Sequence, residues 1–368
     1  MRFHVVSLPH TNTTKDFAGC AYTEKVRRFC NMMKSLGHTV YLYAGEDNEA
    51  DVDELIPCIK ETQRRLVVGN RPYVEAPFNW QLPHWQKFNG NVIKALKSRL
   101  EPQDFICLIA GYSHKPIADA YRSHISVEFG VGYSGVFSDY KVFESYAWMH
   151  AIYAQRRDAA TADGMFFDTV IPGYLDPEMF PLGEGKGDYY LYVGRMIPRK
   201  GVDIAAHICS VIGAKLIMAG PGEHIPQYGE YIGPIGPEKR AELMGNAIAT
   251  FVPTLYLEPF GNVNIESQAC GTPVITTDWG AFTETVVQGV TGFRCRTVEE
   301  FVLATQNVKN LDRKAIRERA VSLYSVDVIA KQYEKYFERL LTLWGDGWYE
   351  EGKATEAIRK AKEKQTEG

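Results

Sequence analysis

No apolar run in these 368 residues approaches the ~20 needed to cross a bilayer, so a membrane-spanning chain is not expected. Cysteine is sparse and unpatterned: seven residues, an odd number, at positions 20, 30, 58, 107, 209, 270 and 295, with no Cys-x-x-Cys. That argues against a disulfide scaffold or a zinc site and for reduced thiols in a cytoplasmic protein. Positive charge is not in excess. The net charge of −4 supplies no global basic field to draw the chain to nucleic acid or acidic lipid. A charged-then-apolar leader is also missing, because the strand-like run Phe3 to Leu8 starts almost at the first residue; no signal peptide is expected.

The composition, 45% hydrophobic and 23% charged, is that of a soluble globular protein. A chain of 368 residues exceeds one ordinary core, and two domains are the default. The stretch around which the rest is organised runs from Glu258 to Pro273, Glu-Pro-Phe-Gly-Asn-Val-Asn-Ile-Glu-Ser-Gln-Ala-Cys-Gly-Thr-Pro. An apolar run, Ala249 to Val252, precedes it and a strand from Pro273 to Thr276 follows. Asn262 to Cys270 has helical length, with Gly271 placed to end it. The pattern is strand, loop, short helix, strand, and it puts Glu258 on a loop after a strand, where α/β sheets bind ligands. Gly261 permits close backbone approach, and the first helix amides point into the same space. Such a place suits a polyhydroxylated, anionic ligand.

The remaining landmarks fit a doubly wound α/β organisation. Arg2 to Leu8 reads as a buried strand, Tyr22 to Leu36 as a helix ended by Gly37, and Thr39 to Ala44 as a second strand. Asp51-Val52-Asp53 lies in a solvated acidic run and reads as surface. Pro72 to Trp85 reads as an irregular excursion. Asp104 to Ala110 is a strand leading to Gly111-Tyr112-Ser113-His114. Ile125 to Phe129 leads to Gly130-Val-Gly132-Tyr-Ser-Gly135 and a helix over Lys141 to Gln155. Alone, that glycine pattern would suggest a dinucleotide fingerprint; its position in mid-domain, with no strand-end acid after it, favours a glycine loop lining a cleft. Gly183 to Gly187 reads as a linker. Beyond it come strands at Tyr189 to Val193, Lys215 to Ala219 and Glu230 to Pro234, and helices at Val202 to Ile212, Pro237 to Met244, Phe301 to Val308 and Arg313 to Leu323. Glu350 to Gly368 is charged and reads as a frayed tail.

The Glu258-x7-Glu266 spacing resembles the signature of retaining glycosyltransferases of the GT-B fold, in particular the GT4 family. Tyr192 to Gly201, reading Tyr-Val-Gly-Arg-Met-Ile-Pro-Arg-Lys-Gly, is similar to that family's Gly-Arg…Lys-Gly phosphate loop. Gly271-Thr-Pro-Val-Ile275 and Gly289-Val-Thr-Gly-Phe293 are similar to its next two landmarks, in the same order. The resemblance implies two facing Rossmann-like domains: an acceptor-binding domain over 1–185, a nucleotide-sugar domain over 186–324, a helix over 325–349 returning to the first domain, and the tail over 350–368. The cleft between the domains is then the active site.

The resemblance also implies roles. Arg195 and Lys200 would hold the diphosphate, Glu258 would lie beside the donor sugar, and Glu266 would accept hydrogen bonds from the ribose hydroxyls. Gly194, Glu223, Phe260, Gly261 and Asn262 complete the donor set. Gly19, on the loop after the first strand, and His114, at the end of a later strand, carry over from the first domain. Breaking the sugar–diphosphate bond builds positive charge on the anomeric carbon and negative charge on the leaving group, so the leaving group is what the protein must stabilise. Arg grips phosphate as a fork and Lys as a point charge. A diphosphate held this way needs no metal, and no cofactor is expected. The expected partners are a nucleotide-sugar donor and a glycan, lipid-linked or small-molecule acceptor, with peripheral membrane contact compatible with a lipid-borne one and the oligomeric state open. Three other readings stand beside glycosyl transfer: a nucleotide-sugar epimerase of the same fold, a non-catalytic nucleotide-sugar binding protein, and an NAD enzyme using Gly130 to Gly135.

Overall fold

The computed structural model describes residues 1–69, 72–156 and 163–344. Two sheets carry the chain. The first contains β1 (Arg2–Val6), β2 (Thr39–Ala44), β3 (Glu54–Pro57), β4 (Phe105–Leu108), β5 (Ile125–Val131), β6 (Tyr140–Phe143) and β7 (Thr169–Val170), in the order β3-β2-β1-β4-β5-β6-β7. The second contains β8 (Tyr189–Val193), β9 (Lys215–Ala219), β10 (Glu230–Tyr231), β11 (Thr250–Val252), β12 (Val274–Thr277) and β13 (Gly292–Cys295), in the order β10-β9-β8-β11-β12-β13. β1 runs parallel to β2 and β4, β8 to β9 and β11, and β12 to β11 and β13. In each sheet the chain steps outward from a central strand, then returns to that strand's other side. This is the doubly wound, Rossmann-like arrangement, and it leaves a crevice at the carboxyl ends where the order reverses, beside β1 and beside β8.

The chain divides into two compact units: Met1–Phe129 with Gly135–Lys141 and the residues from Ala330, and Gly130–Ser134 with Val142–Ile329. In the first, β1 and β4 present Val6, Ile106 and Leu108 to one layer, packed with Phe88, Val92, Leu96 and Ile117. Their alternate residues Phe3 and Phe105 face the other layer, where Phe337 of the C-terminal helix Val326–Leu341 packs with ring centroids 4.7 and 4.9 Å away. In the second, the period of two along β8 sends Tyr190 and Tyr192 into one cluster with Met218, Phe251 and Ile275, and Tyr189 and Leu191 into another with Ile217, Met244, Ile265 and Ala269. Burial on both faces is what selects the aromatic and β-branched residues of these strands.

Local chemistry sets several boundaries. Thr297 and Glu300 form a reciprocal capping box at the start of the helix Val298–Asn307. The Asp312 carboxylate accepts from the Lys314 and Ala315 amides to open the helix Arg313–Tyr324. Three readings of the sequence are corrected. The segment after Gly130 to Gly135 is not a helix from Lys141; β6 comes first, and the helix is Tyr146–Arg156, so the glycines join two strands and the strand-loop-helix context of a dinucleotide fingerprint is missing. The excursion from Pro72 ends earlier than expected, because Pro83, suited to a first helical turn, starts the helix Pro83–Leu96, whose Trp85, Phe88, Val92 and Leu96 are buried. The expected strand to Pro234 stops at Tyr231. The charged tail from Glu350 lies outside the described residues.

Candidate active site

In the second unit the order reverses between β8 and β11, and the loops that leave these strands carry the pair at the centre of the site. β8 runs into Gly194-Arg195 and a 3-10 turn, Pro198–Lys200. Gly201 follows at φ 75°, and a Cβ there would lie 1.9 Å from the Pro253 carbonyl oxygen, so only glycine lets the two loops close on each other. It leads straight into the helix Val202–Val211. β11 runs through Pro253 to Glu258, and Gly261, at φ 83°, turns the chain into the helix Asn262–Ala269. The loop after β12 joins them: the Ala281 amide donates to the Glu258 carbonyl at 3.0 Å.

Lys200 and Glu258 meet here. The Lys200 Nζ donates to Glu258 Oε2 at 2.6 Å, with the side chains 20% and 11% exposed. The ammonium also lies 4.9 Å from the centre of the Tyr256 ring, over which the Arg199 guanidinium sits at 5.0 Å. Burial pushes the lysine pKa down, but the Glu258 carboxylate and Tyr256 more than offset it, so the net shift is upward and Lys200 is a cation throughout the neutral range. The Arg195 side chain is exposed and makes no hydrogen bond or ion pair among the described residues. Its backbone is pinned: the Gly194 amide donates to Ala219 O at 3.0 Å and the Tyr192 hydroxyl to Arg195 O at 3.0 Å. Glu223, on the loop after β9, is exposed.

Glu266 is not a solvent-facing helix residue. It is 5% exposed, and its Oε2 lies 3.3 Å from Arg240 Nε on the helix Pro237–Asn246. Phe260 is also buried, its ring edge-on to Tyr324 at 5.8 Å, so its side chain belongs to the core and only its backbone faces the turn. Asn262, the first helical residue, is exposed. Ser145 fixes the turn from below: its Oγ donates to the Pro259 carbonyl at 2.7 Å and accepts from the Trp148 amide at 3.1 Å. Glu284 in turn accepts from the amides of Tyr146 and Ala147 at 3.0 and 2.7 Å. Sequence reasoning missed Tyr256, Arg240, Ser145 and Glu284, each of which reaches its partner across a long sequence separation with no local motif to mark it.

Gly19 and His114 lie in the first unit. Gly19 is exposed, just beyond the 3-10 turn Lys15–Phe17. His114 is fully buried against Trp85 and Phe88, with ring centroids 5.5 and 6.4 Å away. Burial lowers its pKa to about 3, so the ring is neutral, and any contact with a substrate requires the loop after β4 to open. Asp53 accepts from Lys34 Nζ at 2.8 Å and the Val40 amide at 2.7 Å, which accounts for one acid of the Asp-x-Asp run structurally. Among the described residues no group of three or more His, Cys, Asp or Glu side chains is arranged to hold a metal ion, and no helix is long and apolar enough to cross a membrane.

Two doubly wound parallel sheets of this order are the GT-B fold. Residues 177–320 match the family model described as glycosyl transferases group 1. A glycogen synthase of Pseudomonas aeruginosa is 28% identical over 189 residues, covering 45% of this chain and 36% of the relative. The chain thus spans little more than a third of that relative's length. A sucrose-phosphate synthase from Thermosynechococcus elongatus matches in fold with a TM-score of 0.66 at 18% identity, covering 93% of this chain and 99% of its own. HepE of Anabaena, solved in complex with UDP-glucose, matches with a TM-score of 0.62 at 14% identity over 92% of this chain and 99% of its own.

Proposed function

We propose that the protein is a retaining, metal-independent glycosyltransferase that moves a sugar from a nucleoside-diphosphate sugar to an acceptor hydroxyl. The observation that carries this reading is the largely buried Lys200–Glu258 pair, 2.6 Å apart, on the loops that follow β8 and β11, with the unpaired Arg195 on the same loop as Lys200. A diphosphate leaving group gathers negative charge as the sugar bond breaks. A lysine held as a cation and an arginine free to fork onto oxygens answer that charge, and an environment with fewer water dipoles strengthens both. Glu258, neutralised by Lys200 in the free protein, gains a role beside the donor sugar once phosphate competes for the ammonium.

The Asn262–Ala269 helix directs its first amides toward the same turn, where they add donors for sugar hydroxyls or phosphate. With the charge met by Arg, Lys and amides, the chemistry asks for no metal. A same-face displacement that leaves through an ion pair retains the anomeric configuration, and it needs no covalent carboxylate intermediate. The fold relatives in complexes with UDP-glucose or UDP support a nucleotide-sugar donor, and the free thiols support a cytoplasmic site of action. The test is the transfer rate of Arg195→Ala and Lys200→Ala. Each is expected to fall by on the order of 10²-fold or more, the scale of losing one preorganised electrostatic donor. Near-wild-type rates in both variants would remove these residues from the mechanism.

A further inference from the structure

The loops that follow β8 and β11 carry three cations, Arg195, Arg199 and Lys200, and one carboxylate, Glu258. Arg195, Lys200 and Glu258 have roles in the proposed transfer; Arg199 and Tyr256 have none, yet both are built into the same spot. Arg199 and Lys200 close the 3-10 turn Pro198–Lys200, and both reach one ring. The Lys200 Nζ lies 4.9 Å from the centre of the Tyr256 ring and the Arg199 Cζ 5.0 Å from it. The Leu255 amide donates to the Arg199 carbonyl at 3.0 Å, so the backbone next to Tyr256 is tied to the turn that bears both cations. Tyr256 is half-buried and Arg199 exposed. An ammonium has three N–H donors, and Glu258 takes one of them at 2.6 Å. Phosphate and carboxylate compete for that charge. An aromatic face does not compete in this way: it attracts the cation through its quadrupole and carries no charge that repels an anion. A lysine stem is flexible, so an ammonium drawn off Glu258 needs a second partner to keep its place. Two cations at one ring also repel each other, and an anion bound by both removes that repulsion.

We infer that Tyr256 is a positioning residue for diphosphate capture: its ring seats Lys200 and Arg199 together, keeps the ammonium in place when phosphate takes it from Glu258, and presents Arg199 as a further cation to the diphosphate. The inference rests on the proposed function for the presence of a diphosphate, and adds to it two residues and the way they act. Arg199 works through the ring that holds it, so the contributions of Arg199 and Tyr256 are coupled and their losses do not add.

The experiment measures dissociation constants of UDP, GDP and ADP, and of the matching nucleosides, for the wild type, Tyr256→Leu, Tyr256→Phe, Arg199→Ala and the Tyr256→Leu/Arg199→Ala double variant, with thermal melting as the check on folding. Tyr256→Leu is expected to weaken the diphosphate that the wild type binds by roughly three- to thirtyfold, the scale of a cation–π contact, and to leave its nucleoside unmoved. Tyr256→Phe keeps the ring face and is expected to restore the affinity. Arg199→Ala, at an exposed position that spares the core, is expected to weaken the diphosphate in the wild-type background and much less in the Tyr256→Leu background. Diphosphate affinity unchanged in both Tyr256→Leu and Arg199→Ala would overturn the seat, with diphosphate binding by the wild type still standing. So would a Tyr256→Phe loss as large as that of Tyr256→Leu, a nucleoside weakened as much as the diphosphate, or losses that simply add in the double variant. Failure of the wild type to bind any of the diphosphates would instead overturn the proposed function, and the seat with it.

Discussion

His10 and His114 show how burial alone sets a side chain's behaviour. His10 is 1% exposed, its rings of contact are Phe78 and Trp85, and burial first, then the nearby His84 and Arg64, lower its pKa to about 4. His114, fully buried, is lowered to about 3 by burial, which outweighs a backbone contact to Ser7. Both are neutral when folded but take up a proton near pH 6.5 when unfolded. The sign follows: their stabilising contribution is complete above about pH 6.5, and it is lost as pH falls toward the folded values, because the unfolded chain binds the extra protons. Unfolding by urea is expected to become easier by on the order of 2 kcal/mol between pH 7 and pH 5.5, with His114→Phe removing part of that slope. Stability flat across this range would contradict the neutral, buried histidines. The contrast with Lys200 is direct, since there a nearby carboxylate overrides the same burial.

At the scale of elements, the loop after β8 is defined by contacts that the sequence showed only as glycines. Gly201→Ala must carry a left-handed backbone and a Cβ aimed at the Pro253 carbonyl, so it is expected to cost at least about 1–2 kcal/mol and to move Lys200 off Glu258. A lower melting temperature together with weakened nucleotide binding is the expected readout; an unchanged melting temperature would show that the loop adapts freely. Much of this level was legible beforehand. The strands at Tyr189 to Val193 and Lys215 to Ala219 and the helix that follows Gly261 all stand where their hydrophobic period and flanking glycines placed them. The errors fell where two signals competed. Lys141 and Val142 continue an apolar, helix-compatible run, but pairing in the sheet took them as a strand. The proline and aromatic residues of 72–85 read as irregular, yet Pro83 opens a helix because a first-turn proline gives up no hydrogen bond. The Arg240–Glu266 contact could not be read, since each residue belongs to a separate ordinary helix and only the packing of the two brings them together.

At the scale of the whole molecule, the fold and the second-sheet site support one another, because the residues with matching motifs are those at the carboxyl edge where an α/β sheet binds its ligands. The matched stretch 177–320 lies outside the first unit, and of that unit's two landmarks Gly19 is exposed and His114 fully buried. All seven thiols are free and buried, consistent with a fold that relies on no disulfide. Under the proposed mechanism the diphosphate charge is met by side chains and amides, so chelation by EDTA is expected to leave transfer intact. A protein silenced by EDTA and restored by manganese would overturn the metal-free mechanism and return attention to Asp51 and Asp53.

The most direct measurement is thermal-shift binding of the wild type against UDP, GDP, ADP and TDP, each with and without its common sugars, with NAD as the control. Stabilisation by one diphosphate and its sugar conjugates, lost in Lys200→Ala, is the expected result, and it names the donor base. No shift with any of them, alongside a shift with NAD, would contradict the account.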